Sequence, residues 1–148
     1  MNLNSKIFVA GHNGLVGSSI VRKLLEIGYS NIITESFEKL DLRILSQVET
    51  FFQREQPGYV FLSAAKVGGI NANAIYPVEF MLDNLNIQNN VISMAHKYGV
   101  KKLLFLGSSC IYPKYCEQPI KEEYLLSSKL EPTNEAYALA NIVTGKQT

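Results

Sequence analysis

The sequence predicts an α/β fold of Rossmann type, a doubly wound parallel sheet, and three observations carry that expectation. Apolar runs of strand length alternate with segments of helical periodicity. Two of those runs, 59–65 and 101–107, are largely apolar without alternation, as strands covered on both faces of a parallel sheet should be. The first run ends in a glycine triplet, Gly11, Gly14 and Gly17, that opens directly into a helix. Right-handed crossovers then give the strand order 3-2-1-4-5, with the ligand crevice at the carboxyl ends of strands 1 and 4.

Residues 7–10 are the first strand, bounded by glycine. In the helix at 15–26, Leu15, Val16, Ile20, Leu24 and Ile27 recur close to helical spacing and are expected to be buried; Gly28 ends it. A second strand is expected at 31–34 and a brief third at 40–42, where Asp41 is placed to cap the next helix. Ile44, Val48, Phe51 and Phe52 mark one face of that helix, which stops at Pro57. After the strand at 59–65, residues 66–76 read as a Gly/Asn-rich loop. Pro77 suits the first turn of a long helix with Met81, Leu85, Gln88, Ile92 and Ala95 inward, closed by Gly99. Residues 108–133, broken by Pro113, Pro119 and Pro132, read as irregular. A last helix opens at Asn134, and the sequence stops within it, so the fold is expected to be truncated after the helix carrying Tyr137. The whole of 1–148 reads as one dinucleotide-binding domain, with no repeat or linker.

Composition excludes several classes of function. Hydrophobic residues make up 47% and charged residues 18%, which suits a globular core. A net charge of +1 with no dense basic run argues against nucleic acid. No apolar run reaches the ~18 residues of a membrane span. Residues 1–6 lead straight into the first strand and leave no room for a signal peptide. Two cysteines, Cys110 and Cys116, in such a chain suit reduced thiols in a cytoplasmic protein.

The chemistry begins at the glycine turn. Amides at a helix start carry partial positive charge, and glycine lets a pyrophosphate approach the backbone. The spacing here, G-x-x-G-x-x-G, is one residue longer than the commonest dinucleotide fingerprint. The residues expected against a dinucleotide are Gly11, His12, Asn13, Gly14, Leu15, Val16 and Gly17, with His12 shaping the turn rather than moving protons. The adenosine end is expected near Glu35, Phe37, Asp41 and Leu42, and the rest of the cofactor near Ala65, Leu106, Gly107, Ser108 and Asn141. Lys66, after the fourth strand, either touches ligand or is solvated. Ser108 stands at the carboxyl end of a strand, where a hydroxyl can bond a substrate carbonyl. Tyr137 on the last helix can donate a proton to a carbonyl as hydride arrives. Its free pKa is about 10, so a cation four residues later would help it. Position 141 is asparagine. Lys146 stands five residues beyond it, a poor substitute.

The segments AGHNGLVG (10–17), AAKVGG (64–69), LLFLGSSCIYPK (103–114) and LEPTNEAYALA (130–140) resemble the amino-terminal half of the GDP-L-fucose synthases, members of the extended short-chain dehydrogenase/reductase superfamily. The resemblance implies NADPH-dependent epimerisation and reduction of GDP-4-keto-6-deoxymannose. Carried over, Ser108 would hold the 4-keto oxygen, Tyr137 would protonate it, and Cys110 would serve as acid/base in epimerisation; Cys116 has no matching role. Three departures stand against this. Asn141 replaces the family's lysine. The family is about twice as long, so its histidine partner and its GDP-sugar subdomain have no counterpart here, and a GDP-sugar is expected to bind only if a carboxyl-terminal half is supplied. The segment Thr34-Glu35-Ser36-Phe37 lacks the arginine that holds the 2′-phosphate of NADP, and Glu35 suits the free ribose hydroxyl of NAD. Three readings remain open: a cofactor-binding, catalytically impaired remnant; an oxidoreductase completed by a second chain; and a non-catalytic module that pairs through residues 77–98 and the last helix, as a homodimer for instance.

Overall fold

The computed structural model describes residues 1–145, which form two compact units: residues 1–65 with 86–106, and residues 66–85 with 107 onward. Lys146 lies outside the described residues.

The first unit is built on a parallel sheet of β1 (Ile7–Ala10), β2 (Ile32–Ile33), β3 (Tyr59–Leu62) and β4 (Lys102–Phe105), in the order β2-β1-β3-β4. Ile7 stands opposite Ile32 on one side and Tyr59 on the other, and Tyr59 stands opposite Lys102. Side chains of a strand alternate between faces. Phe8 and Ala10, with Val60 and Leu62, pack against Val48, Phe51 and Phe52 of α2 (Leu45–Glu55) and against Ile87, Val91 and Met94 of α4 (Pro77–Lys97). Ile7 and Val9 pack on the opposite face against Leu24 of α1 (Leu15–Glu26). The sheet is thus covered on both faces, as the apolar strand runs require. Phe8, Phe51 and Phe52 form an aromatic cluster, with the rings of Phe8 and Phe51 4.5 Å apart.

Several details differ from the sequence reading. Residues 40–42 form no strand, so the sheet has the expected order without its outermost member. The Asp41 amide donates to Gln47 Oε1 at 2.9 Å, and the Leu42 carbonyl accepts from Asn90 Nδ2 at 3.0 Å. Side chains of α2 and α4 thereby take backbone groups a ladder would use, while Leu40 and Leu42 remain in the core. Asp41 caps a local turn through the Arg43 amide rather than α2 itself, whose N-cap, Ile44, is exposed. In α1, Gly17 and Leu24 are buried, whereas Leu15, Val16 and Ile27 are exposed. Gly17 must face the sheet because it nearly touches Gly11, and that rotation turns Leu15 and Val16 away. In α4 the buried stripe is Phe80, Asn84, Ile87, Gln88, Val91, Met94 and Ala95, with Met81, Leu85 and Ile92 only half buried. Gln88 and Ala95 are inward as expected, and Asn84, which the sequence reading did not include, belongs to the stripe as well. Leu104 of β4 is 44% exposed rather than buried, because only Leu103 and Phe105 reach the core of this unit. In β3, Tyr59 and Phe61 are half buried and Val60 and Leu62 fully so.

In the second unit, the expected loop at 66–76 contains α3 (Ile70–Ile75). Asn73 Nδ2 donates to the carbonyls of Gly68 and Gly69 and closes the turn that starts it. Residues 108–134 hold 3-10 turns at Ser109–Ile111, Glu122–Tyr124 and Pro132–Asn134; the last runs into α5 (Glu135–Gly145). Leu130, Ala138 and Ile142 form a small core against which Cys110, Ile111 and Leu125 pack. Among the described residues, no helix is long and apolar enough to cross a membrane.

Candidate functional site

The glycine turn belongs to the first unit. Gly11 has φ +82°, and a Cβ there would lie 2.7 Å from the Ala64 amide. A Cβ at Gly17 would lie 2.1 Å from the Gly11 carbonyl oxygen and 2.8 Å from Ser63 Oγ. Ser63 Oγ donates to the Ala10 carbonyl at 2.6 Å and so ties the ends of β1 and β3 together beside the turn. Gly14 is different. Its φ of −75° is open to any residue, and its Cβ would meet only Gly11 O, at 3.3 Å. Gly11 and Gly17 therefore answer to the fold, and Gly14 leaves room on the solvent side. It is also the N-cap of α1, with no side-chain cap and no acidic residue in the first turn. The first amides of a helix have no intrahelical partner, so this start offers donors and partial positive charge to an anion. A dinucleotide pyrophosphate fits these residues. His12 is half buried, and Asn13, Leu15 and Val16 are exposed around the turn.

Beyond β2, Glu35 Oε1 lies 3.7 Å from Arg54 Nη2, beside a cleft of about 380 Å³ also lined by Lys39, Ser46 and Thr50. The cation beside Glu35 is Arg54, on the helix that follows, a residue the sequence reading did not single out. Its signal was the spacing of Ser46, Thr50 and Arg54 along one face of α2. Phe37 is 62% exposed, and the Arg43 guanidinium stands over its ring at 5.1 Å. Arg43 also grips Asp41, with Nη2 2.7 Å from Oδ2 and Nε 3.0 Å from Oδ1, and holds that carboxyl below its usual range. Asp41 therefore faces any ribose already engaged by a cation. The Leu42 side chain is in the core. Ala65 is exposed and Leu106 half buried at the carboxyl ends of β3 and β4.

The second unit brings Ser108, Cys110, Tyr137 and Asn141 together. Ser108 caps the turn at Ser109–Ile111, its Oγ accepting from the Cys110 amide at 3.4 Å. Burial pushes the Cys110 thiol up, and the Ser108 hydroxyl pulls it back. Burial also pushes the Tyr137 phenol up; Asn141 and Ser108 draw it down by hydrogen bonding, and Cys110 raises it. Asn141 is 3% exposed, and its Nδ2 donates to the Tyr137 carbonyl at 2.9 Å. A hydroxyl, a thiol and a neutral phenol thus converge, with an uncharged amide one turn beyond the phenol. Gly107 is exposed just before them, and Cys116 is a half-buried free cysteine. Lys66 is held in place: Asn84 Oδ1 and Nδ2 bond its amide and carbonyl at 2.9 Å each, and Asp83 Oδ2 holds the Nζ of its partly exposed side chain at 2.8 Å.

The chain is 60% identical to GDP-L-fucose synthase 1 of Arabidopsis thaliana over 94% of its own length and 43% of that protein's. It is 49% identical to GDP-L-fucose synthase of Escherichia coli (strain K12), over 93% of this chain and 43% of the relative. Among solved structures, a GDP-mannoheptose C4 reductase from Campylobacter jejuni with NADP bound superposes with a TM-score of 0.96 at 39% identity, covering 99% of this chain and 46% of that one. The chain therefore spans less than half the length of these relatives. The family model described as NAD dependent epimerase/dehydratase matches residues 7–147, which takes in both the glycine turn and the helix of Tyr137. That match spans nearly the whole chain, and the chain belongs to the NAD dependent epimerase/dehydratase family.

Proposed function

We propose that these residues are the cofactor-binding half of an epimerase/reductase of the GDP-L-fucose synthase type, acting on a GDP-4-keto-6-deoxysugar. The meeting of Ser108, Cys110 and Tyr137 carries this reading. The cofactor is a dinucleotide, NADP by likeness to the relatives, and when bound it supplies the hydride. The first turn of α1 binds its pyrophosphate, and Gly14 keeps the approach clear. Arg54, which also pairs with Glu55 at 2.7 Å, stands 3.7 Å from Glu35 and partly offsets its charge, so a 2′-phosphate meets a carboxylate with a cation beside it, while NAD remains acceptable. Ser108 holds the 4-keto oxygen by donating its hydroxyl proton, and Tyr137 delivers a proton to the same oxygen. Cys110 is placed to move a proton at a neighbouring carbon. GDP-sugar binding needs the portion of the relatives that these residues do not match.

Asn141 makes this site slower than a lysine-bearing one. A missing charged contact in such a site costs roughly 10²–10³ in rate. The first experiment is a fluorescence titration with NADPH, in which binding by the natural chain and none by Gly14→Val is expected; unchanged affinity in Gly14→Val sinks the reading. NADPH oxidation with GDP-4-keto-6-deoxymannose is the second, with the missing portion supplied by fusion, where Asn141→Lys should raise turnover.

A second reading rests on exposed apolar pairs of the second unit. Val78 and Leu82 on α4 and Leu139 and Val143 on α5 are each four residues apart and between 36% and 63% exposed. Such stripes suit pairing with a second copy of the chain.

A further inference from the structure

Between Ser108 and Tyr137 the chain makes a long excursion, and its base is pinched by one pair of residues. Lys114 stands six residues after Ser108, and Glu131 stands six residues before Tyr137. Lys114 Nζ lies 2.8 Å from Glu131 Oε2, and the Lys114 amide donates to the Lys129 carbonyl at 2.9 Å. The other Glu131 oxygen, Oε1, accepts from the Thr133 amide at 3.3 Å and from Thr133 Oγ1 at 3.2 Å. It thereby caps the turn at Pro132–Asn134 that leads into α5. One carboxylate thus joins the segment that carries Ser108 and Cys110 to the start of the helix that carries Tyr137. Residues 115–130 lie outside this closure, and their backbone holds little regular structure beyond the turn at Glu122–Tyr124.

We propose that Glu131 and Lys114 are positioning residues, which hold the Ser108–Cys110 turn in register with Tyr137 and keep motion of the 115–130 excursion from reaching it. The proposal rests on the reading of Ser108, Cys110 and Tyr137 as the reacting groups. Its physical basis is geometric: a hydroxyl and a phenol that must serve one oxygen tolerate little displacement. The apolar contacts of Leu130, Ala138 and Ile142 with Cys110 and Ile111 hold the two segments together, but such packing slides more easily than a charge-assisted bond of fixed direction. The mutual effect is visible in both partners, since Lys114 holds the Glu131 carboxyl below its usual range and Glu131 raises the Lys114 ammonium.

The test uses the half-buried Cys110 thiol as a reporter, in a Cys116→Ser background, by its rate of alkylation with iodoacetamide. Glu131→Gln keeps the shape and the acceptor for Thr133 but loses the ion pair; Lys114→Met loses the pair from the other side. The pair is exposed, so the effect of losing it is modest: each change should speed alkylation about two- to fivefold. The double variant should be no faster than either single one. NADPH affinity should fall by less than about twofold, because the pyrophosphate-binding glycine turn belongs to the first unit and neither Lys114 nor Glu131 is expected against the cofactor. Unchanged alkylation in both single variants, or a double variant whose effect is the product of the two, overturns the proposal. Failure of NADPH to bind the natural chain would instead count against the functional reading and leave the alkylation result to judge the tie.

Discussion

At the scale of single residues, three glycines in one turn have separate duties, and substitution should separate them. Gly17→Ala forces a methyl to 2.1 Å from the Gly11 carbonyl and should cost about 1–3 kcal/mol or more, read as a lower midpoint in urea. Gly14→Ala asks its one neighbour to give by a few tenths of an ångström, so the chain should unfold near its natural midpoint while its NADPH affinity falls. Loss of folding in Gly14→Ala would contradict this division. Arg54→Ala should weaken NADPH several-fold and spare NADH, since it leaves Glu35 uncompensated where a 2′-phosphate would lie; equal loss for both cofactors would remove Arg54 from the specificity argument. Tyr137 offers a pH test. Its phenol pKa is raised in the fold, so the folded chain holds that proton more firmly than the unfolded chain. The stability this gives is present below the unfolded value of about 10 and lost as pH rises through the folded one. Asn141→Lys should lower the phenol pKa, because a cation one helical turn away favours the tyrosinate. The tyrosinate absorbance of each chain, less that of its Tyr137→Phe counterpart, measures the shift, and no downward move would refute a charge-based role for position 141.

At the scale of elements, legibility depended on the kind of force involved. The strand, glycine turn and α1 were readable because a local pattern of apolar and glycine residues dictates them. The strand order was readable because handedness leaves few choices. What was misread was decided by polar side chains acting at a distance. Gln47 and Asn90 take the backbone of 40–42 away from the sheet, and no local pattern announces that. Asn84 sits inside α4 because it bonds Lys66, so a reading that sets Met81 and Leu85 inward and leaves Asn84 out turns this part of the helix the wrong way. Replacement of Asn84 by leucine keeps the volume but strands the Lys66 amide and carbonyl, two groups held within the second unit. The expected loss is about 2–3 kcal/mol, against the gain a buried polar-to-apolar change suggests at first sight. A thermal midpoint equal to or above the natural one would show that the bonds to Lys66 contribute nothing net. Residue types singled out Ser108 and Tyr137 as candidates and the resemblance added Cys110, but the pinch at Lys114 and Glu131 joins positions far apart in sequence, and only the fold reveals it.

At the scale of the whole molecule, the exposed pairs on α4 and α5 make a forecast about assembly. Val78 and Leu82 lie one turn apart, as do Leu139 and Val143, and all four belong to the second unit. Full burial of a valine or leucine side chain is worth about 1.5–3 kcal/mol, and a two-fold interface uses each such residue twice. Each of the four is already partly covered, so about half of that gain is open to it, and lost translational and rotational freedom offsets much of the sum; the association is weak, in the micromolar range or above. The chain should therefore sediment as a concentration-dependent mixture of monomer and dimer. Leu82→Lys with Val143→Lys places charges on both stripes and should leave a monomer at every concentration. The same double change should leave NADPH affinity as it was, because neither residue belongs to the glycine turn. A natural chain that stays monomeric to about 100 μM, well above micromolar dissociation constants, would remove the pairing reading altogether. Dimer formation that survives both lysines would move the interface elsewhere, with the exposed Leu104 edge of β4 as the next place to introduce a charge.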